Sequence, residues 1–558
     1  MNMRAVARAC LLVVVLFGMA GAAICTPWVR SVSAAPSDFD FEVLRGEWWI
    51  NLQSDQWKIG IDAVYVLKPT RVGAREIVIQ PQPMGWGASY PDTMFNLDEV
   101  SPQARVVERA SQRGQAPEIV VSFLQPCQTL EPFDFTISGE LVTDRTAYPS
   151  QRLLGGVTPE GVYSIPWQMP FYFYGRITPS SYEHHRHVTL PEGWITVPSS
   201  YTVDGDSTLW TIYAGPYNHS QLTVYGKRFD VYWVSQGFAR DISLWVSQCW
   251  DALRPLLGPP SEALPWRFVE LPRYHCGGEA SRSSIAFVSQ LTPGLSPIGQ
   301  MRDLIYHEIG HKWGIIGGRI EGWPTPQESL TEYKVYLALE QAYGRETAVS
   351  FLLSNREWYL RQVDEHGDVP VALSKGTAQS PLTHAVRYEK ASWIWHSLRF
   401  LMGDDRFFPL LHDLRYEFTP KALTRGTTVP LDDLTVLISN RAGEDLDWFV
   451  RQWLFRTAAC QFRVEGLRSS PHLGRAVTAG DSYLTRFRLL SMGSVHPPRV
   501  ELLLVGDSGT GRSQQLVTIS LTEGTNSVEI DTRFRVDEVI VDPNKWFLVV
   551  EGSGIDAK

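Results

Sequence analysis

The sequence predicts an α+β chain of several domains: an N-terminal β domain, a mainly helical middle and a small C-terminal β-sandwich. Three observations carry that reading. At 558 residues with 44% hydrophobic content, the chain is too long for one compact core. Its hydrophobic periodicity changes twice, from strand alternation to helical spacing and back. Clusters of Pro, Gly, Asp and Asn punctuate the alternating runs as turns. A net charge of −9 without long runs of either sign argues against nucleic acid as the partner. A small molecule, a peptide or another protein is the expected partner.

Residues 1–35 read as a targeting segment. Arg4 and Arg8 precede an uncharged run from Ala9 to Val29, and "SVSAAP" then offers small residues for cleavage after Ala34. Export is the expectation, with an uncleaved membrane anchor as the alternative, because the run is about one membrane span long. Either outcome places the chain outside the cytoplasm, secreted or membrane-anchored. No later segment is apolar enough to span a bilayer. Cys127, Cys249, Cys276 and Cys460 follow at scattered positions that match no thiolate zinc module, which implies buried thiols or one disulfide.

Residues 36–227 carry short alternating runs such as "AVYVL" at Ala63, "EIVIQ" at Glu76 and "FDFTISG" at Phe133, and predict a β domain built on a large twisted sheet. Residues 228–465 switch to helical spacing in "ARDISLWVSQCWDALRPLLG", "TEYKVYLALEQAYG" and "KASWIWHSLRFLMG". Residues 466–558 return to strands in "RVELLLVG", "QLVTISL" and "DEVIVDP", the pattern of a β-sandwich.

The chemistry concentrates in "LIYHEIGHKWG", Leu304 to Gly314. Residues four apart on a helix project from one face, so His307 and His311 can share one zinc, and Glu308 between them can reach a water at the metal. Neutral imidazoles hold the ion, the ion makes water acidic, and the carboxylate takes the proton as the water attacks a carbonyl. A catalytic zinc commonly has a third protein ligand. The next helical pattern starts near Pro326 and carries Glu328 in its first turn. Glu328 is the candidate third ligand. The same four residues, Thr325 to Glu328, also fit a capping box in which Glu328 folds back on Thr325. Glu332, one turn on, shares the face and can orient His307 from behind, or be a solvated helix residue.

"HEIGHKWG" followed by "QESLTEY" resembles the gluzincin aminopeptidases of the membrane alanyl aminopeptidase family, which includes aminopeptidase N and leukotriene A4 hydrolase. Glu328 falls on the first glutamate of that family's second motif, which implies a zinc ligand. "VRYEKASWIWHSLRFLMGDDRFF" resembles the family's tyrosine-bearing helix and places Tyr388 at its catalytic tyrosine. "DLDWFVRQWLFRTAACQFRV" is similar to the segment that closes the family's helical domain. The resemblance therefore implies a saddle-like N-terminal sheet, a thermolysin-like helical zinc domain and a C-terminal sandwich. It also implies one zinc per chain and a peptide or protein substrate.

Two departures shape the expectation. Sixteen residues separate His311 from Glu328, a shorter connection than the family's. The stretch that should carry the family's amine-binding GAMEN strand reads "RYHCGGEASRSSIAF", where Glu279 is the sole acidic residue. Glu279 is thus the candidate anchor for a substrate's free amine, or an ordinary loop glutamate. Tyr388 would aim its phenol at the oxyanion that forms as water attacks. The expected activity is zinc-dependent peptide hydrolysis from the N-terminus. The alternatives are a related zinc endopeptidase, a relative of the glycyl aminopeptidases, and a binding protein of the same fold. His275, His384 and His396 could line a pocket but read first as satisfied polar residues, and Trp313, Trp323, Trp393 and Trp395 read mainly as core, with one or two able to shape a substrate pocket.

Overall fold

A computed structural model describes residues 10–11, 41–80, 93–109, 118–143, 156–158, 161–165, 172–173, 183–197, 212–260, 266–271, 278–280, 284–288, 301–314, 320–374, 381–418, 428–457, 459–471, 482–508 and 511–550. It is a mixed α/β structure of several sheets and a helical array. The expected targeting segment lies outside the described residues apart from Cys10–Leu11, as do His275 and Cys276. None of the described helices is long and apolar enough to cross a membrane. The chain divides into two compact units, residues 1–251 with 259–313 and 376–379, and residues 252–258 with 314–375 and 380–558.

In the first unit a six-stranded sheet has at its centre Phe41–Gln53, Lys58–Pro69 and Phe133–Thr143, paired antiparallel. Alternation sets its sidedness: Ile59, Ile61, Ala63, Tyr65 and Leu67 are buried while most residues between them are partly or fully exposed. Glu183–Thr189 adds to the sheet edge in parallel beside Phe41–Gln53. Two further sheets of four strands complete the β-rich part.

A separate five-stranded sheet carries the first half of the candidate site. Its order is Asn218–Val224, Lys227–Trp233, Arg267–Leu271, Ser284–Val288 and Gly278–Ala280. The three middle strands are parallel, and helix α1 (Gln236–Leu257) connects the first two of them, because parallel neighbours need a long crossover. Asn218–Val224 joins Lys227–Trp233 through a tight turn with positive φ at Tyr225 and Gly226. A division at residue 227 therefore falls inside a sheet, and the segment read as mainly helical begins with strands.

In the second unit, helices α3 (Pro326–Tyr343), α4 (Arg345–His366), α5 (Pro381–Ala385), α6 (Ala391–Met402) and α7 (Asp404–Asp413) pack together. Gly344 and Gly403, at φ 86° and 73°, break α3 from α4 and α6 from α7 at positions that favour glycine. Two three-stranded antiparallel sheets follow, Cys460–Pro471 with Tyr483–Gly493 and Gly524–Thr532, and Arg512–Ser520 with Arg499–Asp507 and Arg535–Val541. Cys249 and Cys460 are buried in their units.

Candidate active site

Helix α2 (Met301–Gly310) carries His307 and Glu308 and is buried from Asp303 onward. Asp303 in its first turn suits the positive end of the helix dipole and pairs with Arg302 at 2.8 Å. Leu304, Ile305 and Ile309 are buried, and the Tyr306 hydroxyl donates to Gln248 of α1 at 3.1 Å. The helix stops at Gly310, and His311 opens a 3₁₀ turn that ends at Trp313. Trp313 fixes this turn by packing edge-on against Trp250 and Trp266 at 5.9 and 6.4 Å. Removing such a buried ring costs about 3–5 kcal/mol, so the turn is firmly held.

The tighter turn keeps the two imidazoles together. Their ring centroids are 4.9 Å apart, and Nε2 of His311 lies 3.2 Å from Nε2 of His307. Two nitrogens bound at about 2.0–2.1 Å to one tetrahedral ion stand about 3.3 Å apart, so the pair is spaced as a shared metal requires.

Glu328 occupies the first turn of α3 behind Pro326. The Thr325 half of a capping box is not formed: Thr325 makes no side-chain cap bond, and the turn closes through backbone bonds to the Thr325 carbonyl. Ser329 holds the turn from the other side by donating to the Pro326 carbonyl at 2.8 Å and accepting from Trp395 Nε1 at 3.1 Å. Trp395 in turn stacks on Trp323 at 5.1 Å. The ligand atoms of His307, His311 and Glu328 lie within 4.8 Å of one another, and all three residues are buried. Two imidazoles and one carboxylate, all buried, are a donor set that suits zinc. The residues fit the metal.

Glu308 is fully buried beside the edge strand Gly278–Ala280. A Cβ on Gly278 would stand 2.8 Å from both Cγ and Oε1 of Glu308, so only glycine lets the strand approach this carboxylate. The same strand holds Glu279, paired through its backbone with Ala286. Only the backbone of Glu279 is described. Lys312 is buried with Nζ 5.6 Å from the Trp266 ring. Burial pushes its pKa down to about 7, against the attraction of Glu308 and with added repulsion from Arg267.

Tyr388 is buried in a π-helical turn, Val386–Lys390, that joins α5 to α6. Its ring stacks on His384 with centroids 4.2 Å apart and planes 13° from parallel. His384 Nδ1 lies 3.2 Å from Oε1 of Glu389. Burial raises the Glu389 pKa, the neighbouring charge of Glu332 adds to that rise, and His384 opposes it. Glu332 is buried rather than solvated, because nearly every face of α3 is packed, and its Oε1 accepts from Asn355 of α4 at 2.9 Å. Trp313, Trp323, Trp393 and Trp395 are all fully buried. His396 is buried too, with its ring nitrogens 3.3 Å from the Tyr333 hydroxyl and 3.0 Å from the Lys545 carbonyl. Nothing in the sequence singles out Gly278, Lys312 or Glu389, and His384 reads there as a satisfied polar residue or a pocket-lining one. The paired glycines of "CGGEA" are the one local sign that a backbone approaches something closely there.

No protein-family model matches the sequence, and no curated protein matches it. Solved structures do. An aminopeptidase A of Legionella pneumophila, in complex with aspartic acid, aligns with a TM-score of 0.53 at 13% identity, over 93% of this chain and 60% of that one. This chain thus spans about 60% of the length of that protein. At this identity the likeness concerns the course of the backbone, and by it the chain has an aminopeptidase-type fold.

Proposed function

We propose that the chain is an extracytoplasmic zinc metallopeptidase of the gluzincin type that removes N-terminal residues from peptides. The observation that carries the reading is the buried grouping of His307, His311 and Glu328 around one point. The resemblance of the surrounding motifs and the aminopeptidase-type fold support it; the same reading takes the domains in the order saddle-like sheet, thermolysin-like zinc domain and sandwich. Zinc held there supplies Lewis acidity, which makes water more acidic and polarises the scissile carbonyl.

This chain's own side chains do the rest. Glu308 accepts the proton of the attacking water and passes it to the leaving amine. Burial keeps that carboxylate in a medium of low dielectric, where its charge acts strongly on nearby groups. Tyr388 donates its phenolic hydrogen to the oxygen that gains charge in the transition state. Glu279 pairs with the substrate's ammonium, which cannot be buried without a carboxylate except at a cost of several kcal/mol. Glu332 supports the imidazole of His307 from behind.

The test joins metal analysis with digestion. Purified protein should carry one zinc per chain and shorten a peptide library from the N-terminus. Zinc with cleavage at internal bonds alone would make it an endopeptidase. Neither zinc nor cleavage would leave a binding protein of this fold.

A further inference from the structure

We propose that His384, held by Glu389, is a positioning residue that sets the aim of the Tyr388 phenol. The inference rests on the reading of Tyr388 as the oxyanion donor. Its basis is the local backbone. In an α-helix the residues three and four positions on lie over residue i, whereas a π turn closes i→i+5 bonds and brings the fourth and fifth over it. Tyr388 and Glu389 are the fourth and fifth residues after His384, and the π turn spans Val386–Lys390. One imidazole therefore meets both: its face lies on the Tyr388 ring at 4.2 Å, and its Nδ1 faces the Glu389 carboxylate at 3.2 Å.

The two contacts do different jobs. Glu389 is almost entirely buried, so its carboxylate is a fixed point, and a fixed carboxylate orients an imidazole bonded to it. The oriented imidazole then presents a flat wall 13° from the plane of the phenol ring. A ring held on one face this way cannot swing about χ2, so its hydroxyl keeps one direction. Oxyanion stabilisation depends on that direction, because the donor must meet the charge where it develops. An ordinary α-helical turn would leave Glu389 round the side and His384 with the tyrosine alone.

The test is a double-mutant cycle on peptide hydrolysis by the full-length zinc-loaded protein. H384A should lower kcat about tenfold or more while KM changes less than about twofold, as a misaimed group loses transition-state contacts only. In a Y388F background the same change should cost no more than about twofold further, because the phenol it aims is already gone. H384F, which keeps the flat wall, should recover kcat to within about threefold of wild type. E389Q supplies an independent arm, expected to move kcat in the same direction as H384A and equally silent in Y388F. An equal loss from H384A with and without the Tyr388 hydroxyl overturns the inference. So does full activity of H384A and E389Q beside an impaired Y388F, and either result leaves the role of Tyr388 intact. Full activity of Y388F removes that role, and the inference with it.

Discussion

Gly278 and Glu308 come so close that a single methyl group on the glycine would stand 2.8 Å from the carboxylate oxygen. The contact joins an edge strand to the helix of the proposed general base. Because the obstacle is the end of a side chain, G278A should fold and push the carboxylate aside. We expect kcat to fall about tenfold or more with zinc content unchanged, since displacement of a base by a fraction of an ångström weakens proton transfer. G278V should be worse. Equal turnover in G278A would show that the carboxylate has room to yield.

Glu328 separates metal binding from fold. E328A removes one of the three proposed ligands but leaves the Pro326 turn, which is closed by backbone and Ser329. Zinc occupancy after dialysis should fall at least about tenfold while the far-ultraviolet spectrum stays that of the wild type. Unchanged occupancy would make Glu328 a structural residue.

Glu308 and Tyr388 should fail in chemistry rather than in binding. E308Q keeps the shape and removes the base; Y388F removes only the hydroxyl. Each should retain zinc and lose about a hundredfold or more in kcat. Full turnover in either variant strikes that residue from the mechanism.

The exopeptidase reading turns on Glu279. Matched peptides with free and acetylated N-termini should differ in kcat/KM by about tenfold or more in the wild type, and E279A should erase the difference. Equal rates on both peptides in the wild type would point to an endopeptidase.

His396 links stability to pH. Burial, then the charges of Arg345 and Arg399, hold its pKa well below the usual value of 6.5. Below that pH the unfolded chain takes up a proton that the folded chain refuses. Stability is therefore full above pH 6.5 and falls as pH drops through it, by at most about 1.4 kcal/mol per unit. H396F keeps a ring against Trp546 and lacks the titration. Between pH 6.5 and 5, urea titrations should show the wild type losing about 1–2 kcal/mol more than the variant. Parallel pH slopes would exclude His396 as the linked group.

What is legible in the sequence follows from the range of the interactions involved. His307, His311 and Glu328 are readable because each sits at a fixed helical offset or in a first turn, and such offsets survive the change to a 3₁₀ turn at His311. Periodicity likewise reveals the alternation of Lys58–Pro69 and the succession of helices after Met301. The burial of Glu332 is hidden, since its partner Asn355 lies on another helix, and a polar residue in a helix otherwise reads as solvated. Gly278 acquires its meaning only when a hairpin folds back beside α2. The grouping of His384, Tyr388 and Glu389 depends on a π turn, and no composition rule announces one.

The near-complete burial of α3 also sets a timescale. Leu330 through Leu339 are buried without interruption, so no side of the helix can lift away while the rest of the fold stays intact. Its central amides should exchange with heavy water only when the surrounding structure opens as a whole, at the slowest rates the domain shows. Gly278–Ala280, paired on one side alone among the described residues, should exchange in smaller and more frequent openings. The middle of α3, which backs the proposed metal turn, and the strand expected to receive the substrate would then keep different clocks, the first enduring across many encounters and the second ready to accommodate each new peptide.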